Sequence, residues 1–150
     1  MRFPSRRIRN ALTALWLAAL PVLDCAADVG QVKVAKGQVA VERAGRTLAA
    51  QVGMPLELAD ILKTGTDGSV GVTMRDNSLL SAGPNSVLSL ERFEFDPATN
   101  EGRFESRLQR GTLAVVSGRI AKSAPSAMTV RTPSAVLGVR GTEFLVRVND

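Results

Sequence analysis

The sequence has no histidine and no tyrosine, and it has a single cysteine, Cys25, and a single tryptophan, Trp16. Without histidine, the usual general base, the Ser-His and Cys-His catalytic couples and the commonest metal ligand are all missing. An enzyme built on this chain would have to use carboxylates, lysine, serine or threonine. We therefore predict a protein that is not an enzyme and that has no cofactor and no metal site.

Residues 1–27 have the pattern of a secretory signal peptide. Four arginines in the first nine residues precede a short apolar segment over residues 11–23, and small residues precede Asp28. The apolar segment is shorter than the roughly 20 residues that span a bilayer. The sequence predicts a signal peptide over residues 1–27, export to the periplasm, and one mature domain over residues 28–150 without a membrane span.

Two alternatives concern the same segment. The first is an uncleaved anchor helix. The second is lipidation of Cys25, which follows the apolar segment as the modified cysteine of a bacterial lipoprotein does, although Asp24 stands where a small neutral residue is expected. Cleavage after Ala27 would discard Cys25, and the mature chain would then have no disulfide and no zinc-thiolate site.

The basic character of the chain comes largely from that segment. The whole sequence has 19 basic and 14 acidic residues. Residues 1–27 contain four arginines and Asp24, which leaves 15 basic and 13 acidic residues, a formal charge of +2, for residues 28–150. Because the mature part also has few aromatic residues for base stacking, we predict no nucleic-acid binding.

Short alternating segments separated by turn residues make up the mature sequence. In residues 69–75, Val70, Val72 and Met74 alternate with small or polar residues, which predicts a strand with one buried face. Similar segments recur about every eight to twelve residues, and no helical apolar spacing persists over three turns. The sequence predicts an all-β domain, arranged as a β-roll or solenoid-like wrap or as a sandwich or barrel, without a long helix.

Three local patterns give more detailed expectations. Val32 and Val34 are predicted to share one face of a strand, and Gly37 is predicted to mark the turn or bulge that resets the alternation afterwards. Phe93 and Phe95 alternate with charged residues and are predicted to be core. The tripeptide Arg-Gly-Thr occurs at residues 110–112 and 140–142, and each copy is predicted to open a strand. A recurring unit of 30 residues is typical of a β-solenoid coil, although two copies of a tripeptide can also arise by chance.

The densest group of carboxylates lies within residues 91–105. Paired carboxylates about 5 to 10 Å apart can catalyse glycoside hydrolysis, and Glu94 and Asp96 are the residues on which such a hydrolase would depend. Arg92, Arg103 and Arg107 interleave with the carboxylates. This favours a solvated, ion-paired hairpin. A calcium site is a weaker alternative, because the spacing of a calcium-binding loop is missing.

Residues 128–148 are the most informative segment. Their apolar residues are spaced for strands, which Pro133, Gly138 and Gly141 interrupt. Arg131, Arg140 and Glu143 fall on alternating positions that should face water or a partner. We predict these three as partner-binding residues, and the alternative is that Arg140 and Glu143 pair with each other across a turn. The valine-rich strands could also accept a partner strand along an open edge.

This segment resembles the C-terminal signature of the FecR domain family, in Val-Arg-Thr-Pro at residues 130–133 and Ala-Val-Leu-Gly-Val-Arg-Gly-Thr-Glu-Phe at residues 135–144. Segments within residues 64–90 and 109–116 agree with it. The family is named for the periplasmic sensor-regulator of iron-citrate uptake. The resemblance implies an all-β fold with a roll-like or solenoid-like wrap and a non-enzymatic binding or signalling role.

Regulators of the FecR type, as the resemblance implies, sense a loaded outer-membrane transporter and pass the signal to a cytoplasmic sigma factor. Such a sensor needs a cytoplasmic region and a spanning helix, whereas only ten residues precede the apolar segment here. We therefore predict an exported periplasmic module that binds an envelope protein, a transporter or a membrane-anchored regulator. The alternatives are a module that binds cell-wall glycan, a structural unit of the envelope and, last, the carboxylate-dependent hydrolase.

Overall fold

The computed structural model describes residues 27–141 and 143–149. The predicted signal peptide, apart from Ala27, and Cys25 lie outside these residues, so export and lipidation stay predictions. Strands make up 57% of the described residues and helix 4%, which confirms the all-β class. The strands form a curled antiparallel half-barrel.

Twelve strands and one short helix follow one another along the described part of the chain. They are β1 (Gly30–Lys36), β2 (Val39–Arg43), β3 (Arg46–Ala49), β4 (Pro55–Leu56), β5 (Ile61–Thr64), β6 (Ser69–Met74), β7 (Leu79–Ala82), β8 (Val87–Phe95), β9 (Gly102–Val116), α1 (Arg119–Ser123), β10 (Met128–Arg131), β11 (Val136–Gly138) and β12 (Glu143–Val148).

The long strand β9 joins two wings of the sheet. Its C-terminal half lies between β7 and β12, and the first wing continues from β7 through β6 and β1 to β4. Its N-terminal half lies between β8 and β10, and the second wing continues through β5 and β2 to β3 on one side and to β11 on the other. The pair β9–β10 is parallel, and the other pairs are antiparallel.

The corner between the wings is Gly111, which has φ of +91°. A Cβ at this position would overlap Ser86, so only glycine fits. The Ser86 hydroxyl accepts a hydrogen bond from the Thr112 amide (3.0 Å), and the Ser86 amide donates to Thr64 Oγ1 (2.8 Å). The prediction that the first Arg-Gly-Thr opens a new strand is wrong. That tripeptide is the bend inside β9, and the second copy precedes β12.

The core fills the interior of the curl and draws on both wings. The predicted burial of Val70, Val72 and Met74 on one face of β6 is confirmed. The largest fully buried side chains include Leu80 and Leu113 from the first wing and Leu88, Phe104 and Leu108 from the second. Since both wings contribute to one hydrophobic cluster, the domain is stabilised chiefly by closing the curl over its apolar face.

Two details of the predicted alternation differ from the structure. A bulge in β1 opposite β6 separates Val32 from Val34, so Val32 is buried whereas Val34 is 43% exposed. Phe93 and Phe95 pack against the core but are only partly buried. The ring of Phe93 meets that of Phe104 edge to face at 5.4 Å. The turn predicted at Gly37 is confirmed, with φ of +62°.

Candidate functional site

The hairpin β10–β11 places the predicted residues Arg131 and Arg140. Met128 and Val130 of β10 are fully buried, which fixes this strand against β9. Thr132 closes the hairpin turn, because its amide donates to the Ala135 carbonyl (2.8 Å) and its Oγ1 accepts from the Ala135 amide (3.0 Å). The buried face of β10 therefore orients Arg131 on the opposite, outer face.

Strand β11 is an exposed edge. Its three residues are all exposed, and Val136 is 67% exposed. Among the described residues β11 pairs with β10 alone, so its other side has no strand partner in this part of the chain. Val139, which follows it, is buried, and its amide donates to the Met128 carbonyl (2.9 Å). An anchored strand with apolar side chains and open backbone groups is suited to receive an extended partner segment.

Arg131, at the end of β10, makes few and long hydrogen bonds with its guanidinium group. Its Nη2 lies 3.3 Å from Glu105 Oε2, while its Nε is buried and has no hydrogen-bond partner among the described residues. The side chain is 42% exposed. A buried N–H without an acceptor is costly. An incoming carbonyl or carboxylate that reaches Nε would relieve this cost.

Arg140 lies in the loop between β11 and β12. On one side, the hydrogen bond from the Val139 amide to the Met128 carbonyl fixes the loop backbone. On the other side, the Ser117 hydroxyl donates to the Gly141 carbonyl. The Arg140 side chain is exposed and makes no ion pair with the described residues. The alternative prediction, a pair between Arg140 and Glu143, is therefore wrong. β12 pairs with β9 and aligns Glu143 with Val116 instead.

The three predicted residues do not form one cluster. Arg131 and Arg140 flank the two ends of β11, since Val136 aligns with Arg131 and Val139 bonds back to Met128. Glu143 begins β12 on the first wing. The three residues therefore lie at two different sheet edges, β11 and β12, and not on the single surface that the alternating sequence pattern predicted.

Sequence reasoning missed a cleft of about 440 Å³ beside the start of the described chain. It is lined by Ala27, Asp28, Val29, Arg75, Phe93, Phe95, Pro97 and Arg119. Arg75 is held by Asp28, through the carboxylate at 3.3 Å and the carbonyl at 3.2 Å. Arg119 makes no ion pair within residues 27–141 and 143–149. Partly exposed rings beside guanidinium groups can contact a sugar ring or an anionic group.

Buried Asp76, which directly follows Arg75, fixes the start of the helix that carries Arg119. Asp76 is fully buried, and its carboxylate accepts from the Ser78 hydroxyl (2.7 Å), the Ser78 amide (3.0 Å) and the Ile120 amide (3.4 Å). The Asp76 carbonyl accepts from the Arg119 amide (2.8 Å). The sequence showed only a turn at residues 76–78, because its contact with α1 spans more than 40 residues.

The carboxylates of residues 91–105 are engaged as the hairpin interpretation predicted. Arg107 Nε donates to Glu91 (2.5 Å), and Arg92 donates to Glu94 (2.8 Å). Asp96 accepts the Ala98 amide (2.8 Å) in the hairpin turn. The ion-paired hairpin is confirmed. In the described part of the chain, no three carboxylate or thiol side chains are grouped so that they could hold a metal ion.

The comparison with protein families gives a match. The family model described as FecR protein matches residues 60–150. The chain belongs to the FecR protein family. The FecR match begins just before β5 and includes β9, the β11 edge and β12, so the resemblance found in the sequence is confirmed. No curated protein and no solved structure matches the chain.

Family membership bears on function at a coarse level. FecR proteins are generally non-enzymatic and regulatory, and they typically interact with envelope regulators or transporters. A FecR domain is thus consistent with a regulatory module of the cell envelope. In residues 27–141 and 143–149, the helix is too short to cross a bilayer.

Proposed function

We propose that this FecR protein is an exported, non-enzymatic module of the periplasm that binds an envelope protein, a transporter or a membrane-anchored regulator, along the β11 edge. The observation that carries the proposal is that this edge combines exposed apolar side chains, open backbone groups and flanking arginines. Val136 and Leu137 are exposed beside open backbone groups, and two arginines with unused donors, Arg131 and Arg140, flank them.

Binding would combine three contributions. An extended partner segment would add a strand to β11 through main-chain hydrogen bonds. Its apolar side chains would cover Val136 and Leu137, and its acidic groups would meet Arg131 and Arg140. The pairing of β10 with β9 and the hydrogen bonds on either side of Arg140 fix the backbone at both arginines before binding, which lowers the entropy lost on association.

Glu143 is not needed for this contact. It lies at the start of β12, on the other wing from β11. The partner surface that we propose therefore consists of Arg131, Val136, Leu137 and Arg140. Family membership supports an envelope partner, because FecR proteins typically engage regulators or transporters there.

Site-specific photocrosslinking in cells tests the proposal. A crosslinking amino acid replaces Val136 in the full chain, and a matched control replaces Val52, which is also 67% exposed but lies before β4. We expect an envelope protein to be captured from position 136 and not from position 52, and Arg140→Glu to remove the adduct. Equal capture from both positions, or capture that Arg140→Glu leaves unchanged, would contradict the proposal.

A second candidate function rests on the cleft between Arg75 and Arg119. Its rings, Phe93 and Phe95, and its guanidinium groups could bind a cell-wall glycan fragment that carries a carboxylate. Titration with soluble muropeptides, followed by nuclear magnetic resonance, tests this candidate. Shifts of signals from Phe95 that disappear in Arg119→Ala are expected if glycan is the ligand, and a spectrum that does not change on titration argues against it.

A further inference from the structure

We propose that a second copy of this chain pairs with β12 edge to edge, in a symmetric antiparallel strand pair centred on Leu145. This inference is independent of the partner proposed for β11, because β12 belongs to the other wing and uses different residues. It follows from the direction of the backbone groups of β12 and from the order of its side chains.

The register shows which backbone groups of β12 are free. The Gly83 amide, just after β7, donates to the Thr112 carbonyl (3.0 Å), so Thr112 directs its backbone groups toward β7. Because this direction alternates along a strand, Leu113 and Val115 direct theirs toward β12. They are aligned with Val146 and Phe144.

The intervening residues of β12 therefore point their amide and carbonyl groups away from β9. These residues are Glu143, Leu145 and Arg147. Among the described residues, β12 has β9 as its strand partner and no turn or loop hydrogen bond reaches it. The free edge thus presents three donors and three acceptors in a regular row, which is a template for another strand.

The side chains on this row are self-complementary. A two-fold axis through Leu145 places Leu145 opposite its own copy, and it places Glu143 of each chain opposite Arg147 of the other. Neither Glu143 nor Arg147 has an ion pair within the described part of its own chain. Opposite charges that face each other across antiparallel strands stabilise the pair, so the dimer would satisfy two charges in each copy.

An apolar strip on the outer face supports the same arrangement. Leu145 is 65% exposed and is aligned with Ala114 of β9, while its diagonal neighbour Val116 is aligned with exposed Leu79. Pairing of two β12 strands would bring the two Leu145 side chains together and continue this strip across both copies. Removing them from water favours association.

The other sheet edges of the described chain lack this pattern. β11 carries no charged residue, and β3 carries Arg46 without an acid. β4 has two residues and begins with Pro55, which cannot donate. A copy of the same chain is therefore the occupant that matches β12 in length, direction and charge.

The pair is expected to be weak. Six residues per copy bury less than the roughly 1,200 Å² typical of specific stable interfaces. Sedimentation velocity of the full chain, measured from micromolar to millimolar concentration, should show a reversible dimer that is favoured at low salt, because the ion pairs are exposed to screening. A monomer over the whole range would overturn the proposal.

Charge reversal tests the register. Glu143→Arg or Arg147→Glu turns both attractive contacts into repulsive ones, and each is expected to lower the association constant by about tenfold or more. The double variant Glu143→Arg with Arg147→Glu restores the complementary pattern, so its association should return to the original level. Single reversals without effect, or a double variant that does not recover, would exclude this register.

A disulfide across the two-fold axis gives a test that does not depend on affinity. Leu145→Cys is introduced with Cys25→Ser, so that no native thiol competes. Directly opposed residues of a hydrogen-bonded antiparallel pair are about 5.5 Å apart at Cα, which a disulfide can bridge. Mild oxidation should yield a covalent dimer, whereas Val52→Cys, at an equally exposed position outside β12, should stay monomeric. Equal dimer from the two variants would overturn the proposal.

Discussion

The protein uses its arginines in opposite ways in two regions. At the end of β2, next to the start of β5, each nitrogen of the Arg43 guanidinium has a carboxylate acceptor. Its Nε and Nη2 donate to the two oxygens of buried Asp60 (2.8 and 2.7 Å), and Nη1 donates to Glu57 (2.6 Å). On the C-terminal edges, Arg131 has one contact at 3.3 Å, and Arg140 and Arg147 have no ion pair in the described chain. Filled donors hold a strand in place, whereas unfilled donors are available to a partner.

The largest expected effect comes from breaking the filled fork. Asp60→Ala leaves the Nε of the partly buried Arg43 guanidinium and the Glu57 amide without their acceptor. We expect the free energy of unfolding to fall by about 3 kcal/mol, as for other buried pairs that lose one partner. Denaturant titration measures it. The control is Glu105→Ala at the half-exposed Arg131 pair, whose single contact is long (3.3 Å), and there we expect about 1 kcal/mol or less. Equal losses at the two sites would contradict the contrast between the regions.

The pH dependence sharpens the same comparison. The hydrogen bond from Arg43 to Asp60 raises the pKa of the Arg43 guanidinium above its ordinary value, and burial opposes this only in part. A raised pKa in the folded state means that the stabilisation is present below the ordinary pKa and is lost as the pH rises through the folded value. Between pH 7 and pH 10, the difference in the free energy of unfolding between Arg43→Lys and the original chain should therefore stay constant. A difference that shrinks over this range would show that the fork is not the cause.

The next largest effect concerns the corner of β9. Gly111→Ala introduces a Cβ that overlaps Ser86 at a position with positive φ, and we expect a loss of about 2 kcal/mol or more in the free energy of unfolding. Gly138→Ala is the matched control on the β11 edge, because a Cβ there has no atom within 4 Å. That change should be nearly neutral. Thermal unfolding of both variants checks the order, and a neutral Gly111→Ala would mean that the corner can open without loss.

The face of β6 that is buried could be predicted from the sequence, whereas the role of Gly111 could not. The alternation in β6 correctly predicted its buried face, because a strand with one covered face has a two-residue period that depends on local order alone. The role of Gly111 depends on contact with Ser86, 25 positions earlier, and a tripeptide repeat carries no information about that contact. The bulge that exposes Val34 is likewise set by β6.

The candidate site also has one property that could be predicted from the sequence and one that could not. The exposure of Arg131 and Arg140 could be predicted from their alternation with buried neighbours. Which edges are open could not, because strand order is a long-range property: β9 accepts β10 on one wing and β12 on the other. The failure of Arg140 and Glu143 to pair has this cause, since β12 turns away to follow β9 while Arg140 stays beside β11.

The smallest expected effect on stability is at Arg140, and it separates binding from folding most clearly. Arg140→Glu removes no ion pair within the described residues and changes an exposed side chain, so the free energy of unfolding should change by no more than about 0.5 kcal/mol. Denaturant titration measures this value, and partner capture at Val136 is measured on the same variant. Lost capture with unchanged stability assigns Arg140 to the surface that meets the partner. A variant that loses both would show that Arg140 supports the fold, as Arg43 does, and would contradict its assignment to a partner surface.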